Sequence, residues 1–214
     1  SVEDAEEIKN NRMVGSSIDL LYGDNYKGYR IVGTEDKFLD LYNAKIKDGK
    51  KWNAPFEVVV GAKIYSKLNI NLDDELVSSH GLRETGESHV NQSFKVVGLL
   101  EPSNSVVDQL IITSPQSIWD LHDEHDHDDE DHEEHHDDED HDEHEHGDKE
   151  ITAMLIKFKS PMNIIQFPRQ INENTNLQAA VPSYEISRLF KLFGFGIETL
   201  TYLAYLIILV SGFS

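Results

Sequence analysis

Apolar residues come along this chain in short blocks of two periods, and the blocks alternate. Runs rich in β-branched residues, or alternating apolar with polar, predict strands at residues 17–22, 29–32, 57–61, 75–79, 94–100 and 106–112. The first two are separated by the turn-rich Gly23-Asp24-Asn25-Tyr26-Lys27-Gly28. Residues 151–159 are apolar on both faces, which predicts a strand interior to a sheet, and residues 177–181 predict the last strand.

Helical spacing falls between these strands. Ser1 and Asp4 form a capping-box pattern opening a short helix with Val2, Ala5 and Ile8 on one side. Thr34 is placed to cap a helix carrying Phe38, Leu39, Leu41 and Tyr42, a unit that Asp48-Gly49 ends. A further helix runs through Ala62, Ile64, Tyr65 and Leu68. Ser114-Pro115 and Ser160-Pro161 each start a helix, and Pro168 is expected to kink or divide the second. Ser183 opens a last helix, with Gly194 and Gly196 as its weak point. Short strands and helices thus alternate along this part of the chain, an arrangement that the resemblance given below implies is an α+β fold.

Two segments break the pattern. From Phe193 to the end the only charged side chain is Glu198, and residues 200–210 are almost purely apolar. Sixteen residues follow from Thr199 inclusive, against about 20 for a full crossing of a bilayer, so the segment reads as the start of a transmembrane helix. Tyr202 and Tyr205 then lie near the interface, with Arg188 and Lys191 in water before it. The competing reading is the buried C-terminal helix of a soluble domain. The chain starts at Ser1 rather than Met, as an excerpt or processed form does.

The other segment is 120–148, with eighteen Asp or Glu, nine of the eleven His, and no Lys or Arg. The remainder carries 22 acids against 19 bases, so the formal charge of −21 belongs to this insert and not to the body. That removes the low isoelectric point as an argument for an acidic-mimic body, and the lack of a basic patch interleaved with aromatics argues against nucleic-acid binding. Between Leu121 and Ile151 no apolar side chain exceeds alanine in size, so the tract has nothing to bury against the entropy of ordering it and is expected to be disordered without metal.

Imidazole suits zinc, nickel and copper, and carboxylates add oxygen ligands and orient the rings. The expected ligands are His122, His125, His127, His132, His135, His136, His141, His144 and His146, with zinc the first choice and nickel or copper behind it. At about 3 to 4 protein ligands per ion the set holds two or three ions. His80 and His89, flanked by Glu84 and Glu87, form a weaker second candidate set. The stretch His132-Glu133-Glu134-His135-His136 matches the zinc-protease expression, but the tract has no apolar face to pack such a helix beside a dry cleft. The plainer alternative is a solvated acidic spacer. No cysteine is present, so thiolate sites and disulfides are out, and no nucleophile elbow, dinucleotide fingerprint or phosphate loop occurs.

Several segments together resemble the extracytoplasmic domain of FtsX/MacB-type ABC transporter permeases, in a branch with a His-rich insert. They are Gly23-Asp24-Asn25-Tyr26-Lys27-Gly28-Tyr29-Arg30-Ile31-Val32-Gly33-Thr34, Glu57-Val58-Val59-Val60-Gly61-Ala62, Ser79-His80-Gly81-Leu82 and Phe94-Lys95-Val96-Val97-Gly98-Leu99-Leu100. Val107-Asp108-Gln109-Leu110-Ile111, Ser160-Pro161-Met162 and the approach to the membrane after Tyr184 continue the series in order. One departure is Leu72-Asp73-Asp74, where the family has Gly-Asp, and this puts that turn's geometry in question.

The resemblance implies a MacB-like periplasmic core on an inner-membrane permease that is itself no enzyme. It implies a membrane-proximal α+β lobe from residues 1–55 and 150–190, and a β-rich lobe at 56–119. A His/Asp/Glu-rich insert at 120–149 and a stalk with the start of a transmembrane helix at 191–214 complete the expectation. Its partners would be a cytoplasmic ABC ATPase subunit, a second permease copy, and an envelope lipoprotein or metal-binding protein. Its action would be mechanotransmission, carrying ATP-driven motion to the outer domain. The alternative is a soluble extracytoplasmic zinc-binding protein or metallochaperone.

Overall fold

The computed structural model describes residues 2–79, 88–123 and 149–212. The chain divides into two compact units, 1–157 and 158–214. The first is α+β. It runs α1 (Val2–Lys9), β1 (Val14–Tyr26), β2 (Tyr29–Thr34), α2 (Lys37–Leu41), β3 (Ile46–Gly49), β4 (Glu57–Val60), α3 (Ala62–Leu68), β5 (Glu75–Ser79) and β6 (Ser88–Leu100). A 3-10 turn at Val106–Gln109, β7 (Ile111–Thr113), α4 (Pro115–Asp123) and β8 (Ala153–Phe158) follow.

The hydrogen-bonded path β2-β7-β4-β6-β5-β1 closes on itself, because β1 also pairs with β2. Antiparallel pairing sets Leu20 opposite Thr34 and Tyr22 opposite Val32, and β2 and β7 run parallel with Ile31 opposite Ile111. The seam between β1 and β5 is short: Asn25 faces Ser79 and its amide donates to the Ser79 carbonyl at 2.9 Å. Closure leaves few open edges, since ring strands satisfy each other's backbone groups. Strands from residues 1–55 and from 56–119 thus share one sheet, and the contacts divide the chain only near residue 157. A thirteen-residue β1 is long enough to reach both β2 and β5.

Because side chains alternate across a strand, neighbouring residues feed two apolar clusters. Leu21, Ile31, Val58, Val60, Phe94, Val96 and Ile111 belong to one, under α3 and α4 through Ile64, Ile118 and Leu121. Leu20, Val32, Val59, Val97, Leu100 and Ile112 belong to the other, under α2 through Phe38 and Leu39.

Several sequence expectations are corrected. Residues 106–112 are not one strand: a 3-10 turn precedes a three-residue β7. The cause is local polar bonding, which competes with the sheet. Ser105 Oγ accepts from the Val107 N–H at 3.3 Å, and the Asp108 carboxylate accepts from the N–H groups of Ser103 and Asn104 at 2.8 and 2.9 Å. Thr34 does not cap α2; its hydroxyl donates to the Asp19 carbonyl at 2.7 Å, and Asp36 stands at the helix start. β8 ends the strand path instead of lying inside the sheet, and its two-faced apolarity reflects faces that are each half covered. The capping box at Ser1 lies outside the described residues.

The second unit holds α5 (Asn163–Asn174) and α6 (Pro182–Gly212). Pro168 sits inside α5 without dividing it, and Phe167 is buried edge-on against Phe158, with ring centres 5.3 Å apart. Residues 177–181 form no strand. Asn172 bonds both polar groups of Ala179 there, and this side-chain clamp takes the place of a ladder.

Two variants test this frame. Burial pushes the Asp108 carboxyl up, but the Ser103 and Asn104 N–H donors, the Ser103 hydroxyl and nearby Lys63 outweigh it and hold the group below the ordinary range. Asp108→Ala is expected to lose about 2–4 kcal/mol by stranding those donors. A depressed folded value means the stabilisation is complete above the ordinary value of 3.8 and fades as pH falls through the folded value, so the gap between parent and variant closes under acid in urea titrations. Gly61→Ala would drive a methyl into the backbone carbonyls of Val107 and Asp108, costing about 1–3 kcal/mol in the same titrations.

Candidate functional site

The acidic tract springs from α4, and α4 is seated by polar bonds at its start and by missing side chains beneath it. Pro115 occupies the first turn, where its lack of an N–H is harmless, and Ser114 Oγ accepts from the Ser117 N–H at 3.3 Å. The Ser117 hydroxyl in turn accepts from the Phe56 N–H at 2.9 Å and lies 2.8 Å from Thr113 Oγ1, which itself donates to the Glu57 carbonyl. Ile118 then lies over Gly23 and Gly33. A Cβ at those positions would stand 2.5 and 2.6 Å from Ile118 carbons, so β1 and β2 accept the helix only because both residues lack one.

The chain's return is tied to the same helix. Trp119 Nε1 donates to the Glu150 carbonyl at 3.1 Å, and the Lys149 ammonium stands 5.0 Å from the centre of the Trp119 ring. Two residues on, the Thr152 N–H donates to the Leu20 carbonyl at 3.1 Å and the Thr152 hydroxyl accepts from the Tyr22 N–H at 3.0 Å. The tract therefore leaves and rejoins the body beside β1. None of these anchors was legible in the sequence. Gly23 reads there as a turn residue and Gly33 only as part of a family motif, and Trp119 and Thr152 carry no pattern of their own.

His122 is in the last turn of α4 and His89 is on β6, their side chains outside the description. His80, His125, His127, His132, His135, His136, His141, His144 and His146 lie outside the described residues altogether. Among the described residues no group of three or more His, Cys, Asp or Glu could hold a metal.

A second functional element is α6. Its 31 residues give a rod about 46 Å long at 1.5 Å per residue, passing through Gly194 and Gly196 without a break. Pro182 opens it, and the Tyr184 and Glu185 N–H groups both donate to the Val181 carbonyl. It is the one described helix long and apolar enough to cross a membrane, and none of its apolar window is buried. Phe190, Phe193, Ile197, Leu203 and Ile208 all stand exposed. Its hydroxyls turn inward on the helix: Thr199 donates to the Phe195 carbonyl at 2.8 Å and Thr201 to the Ile197 carbonyl at 2.9 Å. That satisfies them without water, as a hydrocarbon surrounding requires. Arg188 pairs with Glu185 at 3.8 Å on the more polar first part of the rod.

No family model matches the sequence and no curated protein matches it. Solved structures do. The periplasmic region of MacB from Actinobacillus actinomycetemcomitans shares 12% identity with a TM-score of 0.41, over 56% of this chain and 56% of that one. The chain thus spans little more than half of that relative's length. The extracellular domain of the noncanonic ABC-type transporter YknZ from Gram-positive bacteria shares 12% identity with a TM-score of 0.48, over 80% of this chain and 82% of that one.

Ile118→Ala empties the seat between Gly23 and Gly33 and is expected to cost about 2–5 kcal/mol. Loosening α4 also exposes Trp119. In a Trp52→Phe background, which leaves Trp119 as the single tryptophan, its emission should shift to the red in the folded Ile118→Ala protein.

Proposed function

We propose that this chain is the extracytoplasmic part of an ABC transporter permease subunit in the inner membrane, with the α+β unit facing the periplasm. The observation that carries the reading is α6, a continuous, unburied apolar rod of membrane-crossing length. With about 30 Å of hydrocarbon to cross, such a rod has roughly 16 Å left over. That surplus suits its more polar start, which holds Arg188 and Lys191. The motifs from Gly23 to Thr34 and from Glu57 to Ala62 support the same family.

The subunit's task on this reading is mechanical. A cytoplasmic ATPase partner hydrolyses ATP, and a homodimer of permeases carries the motion outward along its helices to an envelope partner. An unbroken helix transmits displacement, whereas a break at Gly194 or Gly196 would absorb it. These residues hold no phosphate loop, and on this reading the nucleotide is assigned to the partner.

The tract from His122 to His146 is assigned to binding or sensing zinc. Nine imidazoles among sixteen carboxylates supply nitrogen ligands together with the acceptors that orient them. As ligands must shed protons, capture weakens as pH falls through the imidazole range, near 6.5.

Two measurements test the reading. The full-length product should sediment with membranes and be recovered only with detergent, bringing an ATPase subunit with it on purification. Recovery of the folded chain in the soluble fraction would instead favour a soluble zinc-binding protein. Calorimetric titration should find two or three zinc ions per chain at neutral pH and fewer at pH 5; binding no tighter than about millimolar would remove the metal assignment.

A further inference from the structure

Four lysines around one apolar cluster are parked on aromatic rings. Lys27 stands 5.1 Å from the Tyr26 ring centre, Lys47 5.4 Å from Tyr65, Lys67 5.5 Å from Tyr29 and Lys149 5.0 Å from Trp119. Tyr26, Tyr29, Tyr65 and Trp119 all pack against the cluster that contains Ile118 and Leu121. Tyr26 is paired with Tyr29 across the β1–β2 hairpin, and Tyr65 shares α3 with Lys67, so Lys27, Lys47 and Lys67 ride on linked rings of the cluster against which Trp119, at the tract's exit and return, also packs. All four lysines are exposed. Lys47 has a carboxylate close by, Asp48 at 3.4 Å, while Lys27, Lys67 and Lys149 have no described one.

We infer that Lys27, Lys47 and Lys67 form a docking surface whose occupant is this chain's own acidic tract, residues 120–148. Charge and tether both argue for it. The tract holds eighteen carboxylates and no base, in a chain whose body is close to neutral. Both its ends are fixed at Trp119, on the rim of the same cluster. Tethering raises the local concentration to the millimolar range, so weak exposed pairs are made without the entropy cost of bringing two molecules together. Free anionic partners face that competition and the repulsion of the tract. A cation over a ring keeps its remaining N–H donors outward, where a carboxylate can reach them. The contact is electrostatic and so yields to salt once the Debye length falls to a few ångströms. It requires no metal, and it stands or falls separately from the zinc assignment.

The test is zero-length carbodiimide coupling of the full chain in detergent, without added metal, mapped by peptide mass spectrometry. At low salt, tract carboxylates should join Lys27, Lys47 and Lys67 about threefold or more in excess over the exposed Lys37, Lys45 and Lys95, an excess that about 0.5 M salt abolishes. Mixing chains of natural and heavy nitrogen should give joins within one isotope only, while mixed-isotope joins would assign the surface to a second copy and overturn the proposal. Even coupling to all exposed lysines would overturn it as well. The K27Q/K47Q/K67Q chain should keep the parent's unfolding midpoint while a trypsin-resistant protease specific for Asp and Glu cuts its tract several-fold faster. An unchanged cutting rate in that folded variant would also count against docking.

Discussion

Everything in the first unit hangs on β1 serving as both beginning and end of a closed ring of strands. Its later residues pair with β2, and at Asn25 it meets Ser79 of β5, so the ring shuts within a single strand's length. The seam is narrow, and buried polar groups hold it. The Ser78 hydroxyl donates to Asp24 at 3.0 Å while the Asn25 side chain accepts from the Gly28 N–H at 3.0 Å, fixing the turn that follows. Lys27 and Gly28 at that turn both take positive φ, 48° and 81°, as a tight hairpin between right-twisted strands needs.

Closure decides where the rest can go. With both faces of β1, β2, β4, β6 and β7 lined by apolar residues, α2, α3 and α4 each cover one face or the other. α4 takes its place only where Gly23 and Gly33 leave room. The polar network at Ser114 and Ser117 then fixes its axial position, so the last turn of α4 and the return at Glu150 come together beside β1. The functional tract is thus sited by packing in the body, while its chemistry is its own.

How much of this was legible in the sequence depends on the range of the forces involved. Strands at 57–61, 75–79 and 94–100 followed from β-branched runs and alternation, because both are written locally. Residues 106–112 misled, because Val106 and Val107 look like strand residues while Ser105 and Asp108 bind the backbone into a turn. Leu72-Asp73-Asp74 replaces an expected glycine, and Asp73 takes the left-handed backbone conformation that glycine favours, with φ 65° and its N–H bonded to the Val96 carbonyl. Ring closure could not be read at all, since it depends on which distant strands meet. The zinc assignment of the tract rests on its composition alone, whereas the anchors at Trp119 and Thr152 exist only in the folded state.

The pinning of Trp119 to Glu150 also bears on how such a chain can change over generations. The body presents one exit and one return side by side, and the loop-closure cost of what lies between grows only with the logarithm of residue number. Repeats of His, Asp and Glu can be gained or lost there at almost no thermodynamic penalty to the strands. On the proposed zinc reading, the number of ligands is then set apart from what holds the strands together. The insert can drift with the chemistry of its surroundings while the ring beneath it stays under a quite different constraint.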